Sequence, residues 1–167
     1  MTYLCGFFHQ LFRRASRTPI AGTDAFDLHR PVFHIQPQLA QCGWLVRADH
    51  AAFAVFISDA VLQEINQGDP NAALLRMQAM AGIPIVPITD DAEALAQILL
   101  SKGVVPKHSF VDAMHIALAT LNGADFVLTW NFKHINNIET KDKIAKVISG
   151  LGYDCPRLCS PEDLLGA

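Results

Sequence analysis

Two carboxylates and an amide, far apart in the chain, are the residues whose types and settings suit chemistry. Asp112 and Asn131 lie in the stretch SFVDAMHIALATLNGADFVLTWNFKHI, Ser109 to Ile135, and Glu64 lies well upstream in FISDAVLQEI. Carboxylates gathered at one place repel one another, and a divalent cation resolves that repulsion. Oxygen donors of this kind suit Mg²⁺ or Mn²⁺. The competing explanations are ordinary. An aspartate in the first turn of a helix meets the positive end of the helix dipole, and a helix glutamate is most often solvated.

Whether the three residues meet depends on the elements that carry them. Phe110, Ala113, Met114, Ala117 and Leu121 recur at helical spacing, which predicts a helix with one apolar face. Asn122-Gly123 stops it, and Phe126-Val127-Leu128 follows as a short buried strand. In a parallel sheet with crossover helices, the C-terminal end of a strand and the N-terminal end of the next helix share an edge where ligands gather. Asp112, in the first turn of its helix, and Asn131, just past the strand, are therefore expected at one edge. His115 stands a turn after Asp112 on the same face. Upstream, Phe53–Ile57 is a continuous apolar run that suits a central strand. Ser58 caps the helix that follows, and Glu64 on that helix reaches the same edge.

The remaining pattern continues this alternation. Asn71 is expected to cap a helix over about 72–81, after the break Gly68-Asp69-Pro70. Ile83–Ile88 carries two prolines and so belongs to a short or edge strand. Thr89 caps a helix from Asp90 to about Ser101, with Asp90, Asp91 and Glu93 at its start. A last helix spans about 140–149, and Cys155–Cys159 forms a final short strand. Ser160-Pro161 reads as one more helix start. Strand–helix alternation of this kind predicts an α/β layer fold with a mainly parallel sheet. Residues 1–52 are different. Thr2–Cys5 is a candidate strand, a clump of apolar residues and the cluster Arg13, Arg14 and Arg17 follow, and prolines and glycines interrupt the rest.

Composition sets the outer bounds. A chain of 167 residues, 51% hydrophobic, is long enough to bury a core and is read as one domain. A net charge of −3 provides no general field for nucleic acid, although it permits a local basic rim. The four cysteines lack zinc spacing and read as reduced thiols. No run approaches the roughly 20 apolar residues of a membrane helix, and no leader is evident, so a cytoplasmic protein without a membrane partner is expected.

Three segments together resemble the PIN-domain proteins, of the kind found in VapC-type toxins. Ile57–Ile65 is similar to the strand-then-helix segment that carries the family's second acid. Asp112–Ala119 is similar to the segment with its third acid, and Phe126–Asn131 to the strand that ends at its fourth polar site. The resemblance covers residues 53–167 as a PIN-like domain, a three-layer α/β fold with a mainly parallel central sheet flanked by helices. It implies a metal-dependent endoribonuclease that hydrolyses RNA phosphodiester bonds, the toxin half of a toxin–antitoxin pair. Glu64, Asp112 and Asn131 would hold Mg²⁺ or Mn²⁺. Ser58, Thr129, Lys133 and His134 would contact substrate, with Lys107 beside them and Trp130 as a base-stacking candidate. RNA, a cognate antitoxin and a second copy of the chain would be its partners. The family's first acid normally ends the first strand, and the corresponding stretch here, Tyr3–Phe8, has no carboxylate. Residues 1–52 thus form an atypical N-terminal segment, whether part of the domain or outside it, of a kind that a shifted reading frame or a decayed start would leave. A catalytically inactive PIN-like module that binds RNA or protein is the alternative. An α/β phosphatase or receiver domain is a third reading, disfavoured because each wants an aspartate at the end of an early strand.

Overall fold

The computed structural model describes residues 10–14, 53–129 and 137–160. In chain order these form β1 (Gln10–Arg14), β2 (Phe53–Ser58), α1 (Asp59–Ile65), α2 (Pro70–Ala79), β3 (Ile85–Val86), α3 (Asp90–Ser101), α4 (Phe110–Leu121), β4 (Phe126–Leu128), α5 (Ile138–Gly150) and β5 (Arg157–Cys159). The expectations for Thr2–Cys5 and for the helix start beyond Ser160 lie outside the described residues.

The architecture is mixed α/β. One five-stranded sheet has the order β3-β2-β1-β4-β5. β2 pairs parallel with β3, Ile57 opposite Ile85, and β4 pairs parallel with β5, Val127 opposite Leu158. β1 pairs antiparallel with both inner neighbours, Phe12 standing opposite Val55 on one side and Phe126 on the other. Since β2 and β4 both oppose β1, they run in the same direction, and so do β3 and β5. The expected parallel sheet thus holds for the orientation of four strands, and the central strand reverses it. The reversal also sets which end of β1 meets the shared C-terminal edge of the other four. Gln10, opposite Leu128, lies toward that edge, and Arg14, opposite Phe53, lies at the other.

The sheet is covered on both faces at β2. Successive strand residues point to opposite sides, and Phe56 joins a core built from α3, α4, α5 and β4, whereas Ile57 joins a smaller cluster with Val61, Ile65 and Met80. α4 departs from the expected single apolar face. Every residue from Asp112 to Thr120 is buried, while Phe110 at its start is 36% exposed. A helix that is apolar nearly all round belongs inside, and α4 packs against α3, whose Ala92 and Ala96 are also fully buried.

The helix ends follow from local chemistry. Thr89 caps α3 through the Ala92 N–H, at 3.3 Å. Asp69, rather than Asn71, caps α2: its carboxylate accepts from the Ala72 N–H at 2.9 Å, with Pro70 in the first turn. α5 begins two residues earlier than expected because the Asn137 side chain accepts from Thr140 N–H. Gly123, at φ +63°, reverses the chain between α4 and β4, a conformation that side chains with a Cβ adopt at a cost.

Candidate metal and phosphate site at the sheet edge

Ser58 ends β2 and begins α1. Its hydroxyl accepts from the Val61 N–H at 3.4 Å, closing the first turn of α1. From that start, Glu64 falls near the last turn of a seven-residue helix, where it is half-buried at 26% exposure. Arg76 of α2 holds the other end of α1, its guanidinium donating to the carbonyls of Ile65 at 3.0 Å and Gln67 at 2.6 Å. These two bonds fix the turn that carries Glu64.

α4 brings in the second group. Asp112, in its first turn, is 8% exposed, and His115, three residues on, is 1% exposed. His115 is the point of contact between the two halves. Its Nε2 lies 3.3 Å from Oε2 of Glu64, longer and more bent than a regular hydrogen bond. Its Nδ1 lies 3.5 Å from the Ser58 hydroxyl. Burial drives the ring down from an ordinary value near 6.5 to about 4, against the upward pull of the Asp112 carboxylate. At neutral pH the ring is therefore uncharged, and it meets Glu64 as a dipole rather than as a cation.

Thr129 follows β4 at the same edge, fully buried, with its N–H donating to the Cys159 carbonyl at 2.9 Å. Lys107 and His108 are exposed just before α4 begins. Of the residues expected to act, the structure therefore gathers Ser58, Glu64 and Asp112 around His115, and it places Thr129 at the end of the neighbouring strand. Asn131, Lys133, His134 and Trp130 lie outside the described residues. The imidazole that links the pair was visible in the sequence only as a neighbour of Asp112 on its helix face. Its contacts with Ser58 and Glu64 lie 57 and 51 positions upstream, beyond any local pattern.

The donor chemistry fits a hydrated hard cation. Mg²⁺ commonly takes one or two carboxylates and keeps several waters, leaving positions for substrate phosphate oxygens. Glu64 and Asp112 are the residues that would supply such a pair. They do not make a dry cage: among the described residues, no group of three His, Cys, Asp or Glu side chains is arranged to hold a metal ion. The N-terminus of α4 adds an end that favours anions.

No family model, no curated protein and no solved structure matches the chain.

Proposed function

We propose that the chain is a metal-dependent endoribonuclease of PIN type that hydrolyses RNA phosphodiester bonds at the sheet edge. The observation that carries this reading is the meeting of Glu64 and Asp112 around one buried imidazole, His115, at the end of strands that run in one direction. Two carboxylates from separate helices, brought to one edge, are suited to Mg²⁺ or Mn²⁺. Glu64 and Asp112 would hold the ion, with Asn131 as a third oxygen donor. When bound, such an ion polarises the phosphate and lowers the pKa of an attacking water. The chain's own residues do the remaining work. The N-terminal end of α4 favours the phosphate, and Lys107, Lys133 and His134 offset the charge of the RNA backbone. Ser58 and Thr129 hold the edge in place. A toxin role, with a cognate antitoxin and a second copy of the chain as partners, is part of the same proposal.

A second reading is favoured by one specific observation. β1, the strand between β2 and β4, is Gln-Leu-Phe-Arg-Arg and has no carboxylate to contribute at the edge. A PIN-like module that has lost catalysis and binds RNA or a protein partner would look like this. Incubation of the full chain with mixed-sequence single-stranded RNA and Mn²⁺ separates the two. Cleavage that stops with chelator and with Asp112→Asn supports the nuclease. Folded protein that retards RNA in a gel without cutting it supports the module and removes the nuclease.

A further inference from the structure

The contacts of His115 imply a role that goes beyond filling the core, and the inference rests on the metal-centred reading of the Glu64–Asp112 edge. The ring sits between a hydroxyl and a carboxylate, with Ser58 Oγ at 3.5 Å from Nδ1 and Glu64 Oε2 at 3.3 Å from Nε2. An ionised carboxylate only accepts, so Nε2 must carry the hydrogen if the contact with Glu64 is to be attractive. Nδ1 then has a lone pair and needs a donor. Ser58 has one to give, because its oxygen already accepts from Val61 N–H, leaving its own O–H to turn toward the ring. One assignment is consistent with the whole series: Val61 N–H to Ser58, Ser58 O–H to Nδ1, and Nε2–H facing Glu64 Oε2 at 3.3 Å, a contact short of a regular hydrogen bond. The opposite tautomer would set the Nε2 lone pair against a carboxylate at 3.3 Å.

We propose that His115 is a positioning residue for Glu64, its tautomer set by the Ser58 hydroxyl, so that the carboxylate stands ready at the sheet edge to take a divalent cation. Glu64 has a flexible side chain on a short helix. Fixing it costs conformational entropy, which a buried, pre-set ring supplies in advance of binding. His115 itself touches neither metal nor substrate in this scheme. Ser58 has a double duty: it caps α1 and orients the ring that holds a residue further along the same helix.

The test uses the full chain with Mn²⁺ alone as probe. Mn²⁺ affinity is read from the paramagnetic resonance signal of the free ion, and the His115 tautomer from the nitrogen spectrum of ¹⁵N-histidine-labelled protein at neutral pH. The expected result is a neutral Nε2–H ring in the unaltered chain. His115→Leu should weaken Mn²⁺ binding about tenfold or more. His115→Gln, whose amide can still donate to Glu64, should recover most of it. A residue that merely fills the core would show no such rescue, since both substitutions would lower stability and leave metal affinity alike. Ser58→Ala should release the ring into a mixture of tautomers. Should His115→Leu fail to fold, the Gln and Ser58 variants decide the matter. Equal Mn²⁺ affinity in the unaltered chain and both folded His115 variants, or an Nδ1–H ring, would overturn the proposal while leaving the nuclease reading standing. An unaltered chain that binds no Mn²⁺ would remove the metal-centred reading. In that case a fixed Nε2–H ring that Ser58→Ala releases still upholds the positioning of Glu64, and a ring indifferent to Ser58 overturns it.

Discussion

His115 has a consequence for stability that follows from its burial. In the unfolded chain a histidine takes up a proton near pH 6.5, whereas the folded ring resists one until about pH 4. A depressed value means that the unfolded state binds more protons between these limits, so stability is full above about pH 6.5 and declines as pH falls toward 4. The Asp112 carboxylate opposes the decline and is already reflected in the shift. The loss is on the order of 3 kcal/mol. Urea unfolding of metal-free protein at pH 7, 5.5 and 4 should show it, and His115→Gln should flatten the curve; an unaltered curve in that variant would mean another group is responsible. Cys155 offers a second residue-scale prediction. Burial raises its thiol to about 11, and its Sγ donates to the Pro156 carbonyl at 3.4 Å. Only roughly one molecule in ten thousand carries the thiolate at pH 7, so iodoacetamide should modify Cys155 far more slowly than a free cysteine peptide. Peptide mapping after timed alkylation gives the rate.

At the scale of elements, α1 is too short to hold its own shape, and isolated helices of seven residues are not stable in water. Its ends are held from outside, by Ser58 at the start and by Arg76 beyond the end. Arg76→Ala should therefore cost about 1–3 kcal/mol by leaving the Ile65 and Gln67 carbonyls without their charged donor. It should also weaken any cation binding that depends on Glu64, although Arg76 lies on another helix. Chemical denaturation and Mn²⁺ titration of the same variant measure both effects; a change in neither would mean that α1 holds its place without this clamp. Elements of this kind were unevenly legible in the sequence. The start of α3 could be read because Thr89 and three acids all mark it. In the sequence Pro70 reads as a breaker and so points to Asn71 as the cap of α2, whereas a proline in a first turn begins a helix and leaves the cap to Asp69. The apolar face of α4 was legible, but its burial on every side was not, since that depends on the elements packed around it. Glu64 and Asp112 could be brought together by the rule that strand ends and helix starts share an edge. The ring between them could not, because tertiary packing alone joins positions so far apart.

The whole molecule depends on an element that no pattern announced. β1 joins two parallel pairs, β3-β2 and β4-β5, which would otherwise be separate ribbons. Its sequence contains Arg13 and Arg14, which resemble a surface cluster more than a central strand. A proline at Phe12, opposite Val55 and Phe126, would remove a ladder hydrogen bond from the middle of the sheet. Phe12→Pro should lower stability by about 2 kcal/mol or more. Thermal unfolding followed by circular dichroism would register the loss, and an unchanged transition would mean that the two halves cohere through the helices alone. The same strand is what favours the second functional reading, because it fills the centre of the sheet without a carboxylate in its sequence.

We propose that Glu64 and Asp112 form a working cation site for RNA hydrolysis. Its most direct test is the rate of RNA cleavage as a function of Mn²⁺ concentration, measured side by side for the unaltered chain, Glu64→Gln and Asp112→Asn. Saturable, Mn²⁺-dependent cleavage is expected, falling at least a hundredfold in either variant, roughly 3 kcal/mol of lost transition-state stabilisation. Cleavage that persists equally in both variants, or its absence from folded, unaltered protein at every Mn²⁺ concentration, would contradict it.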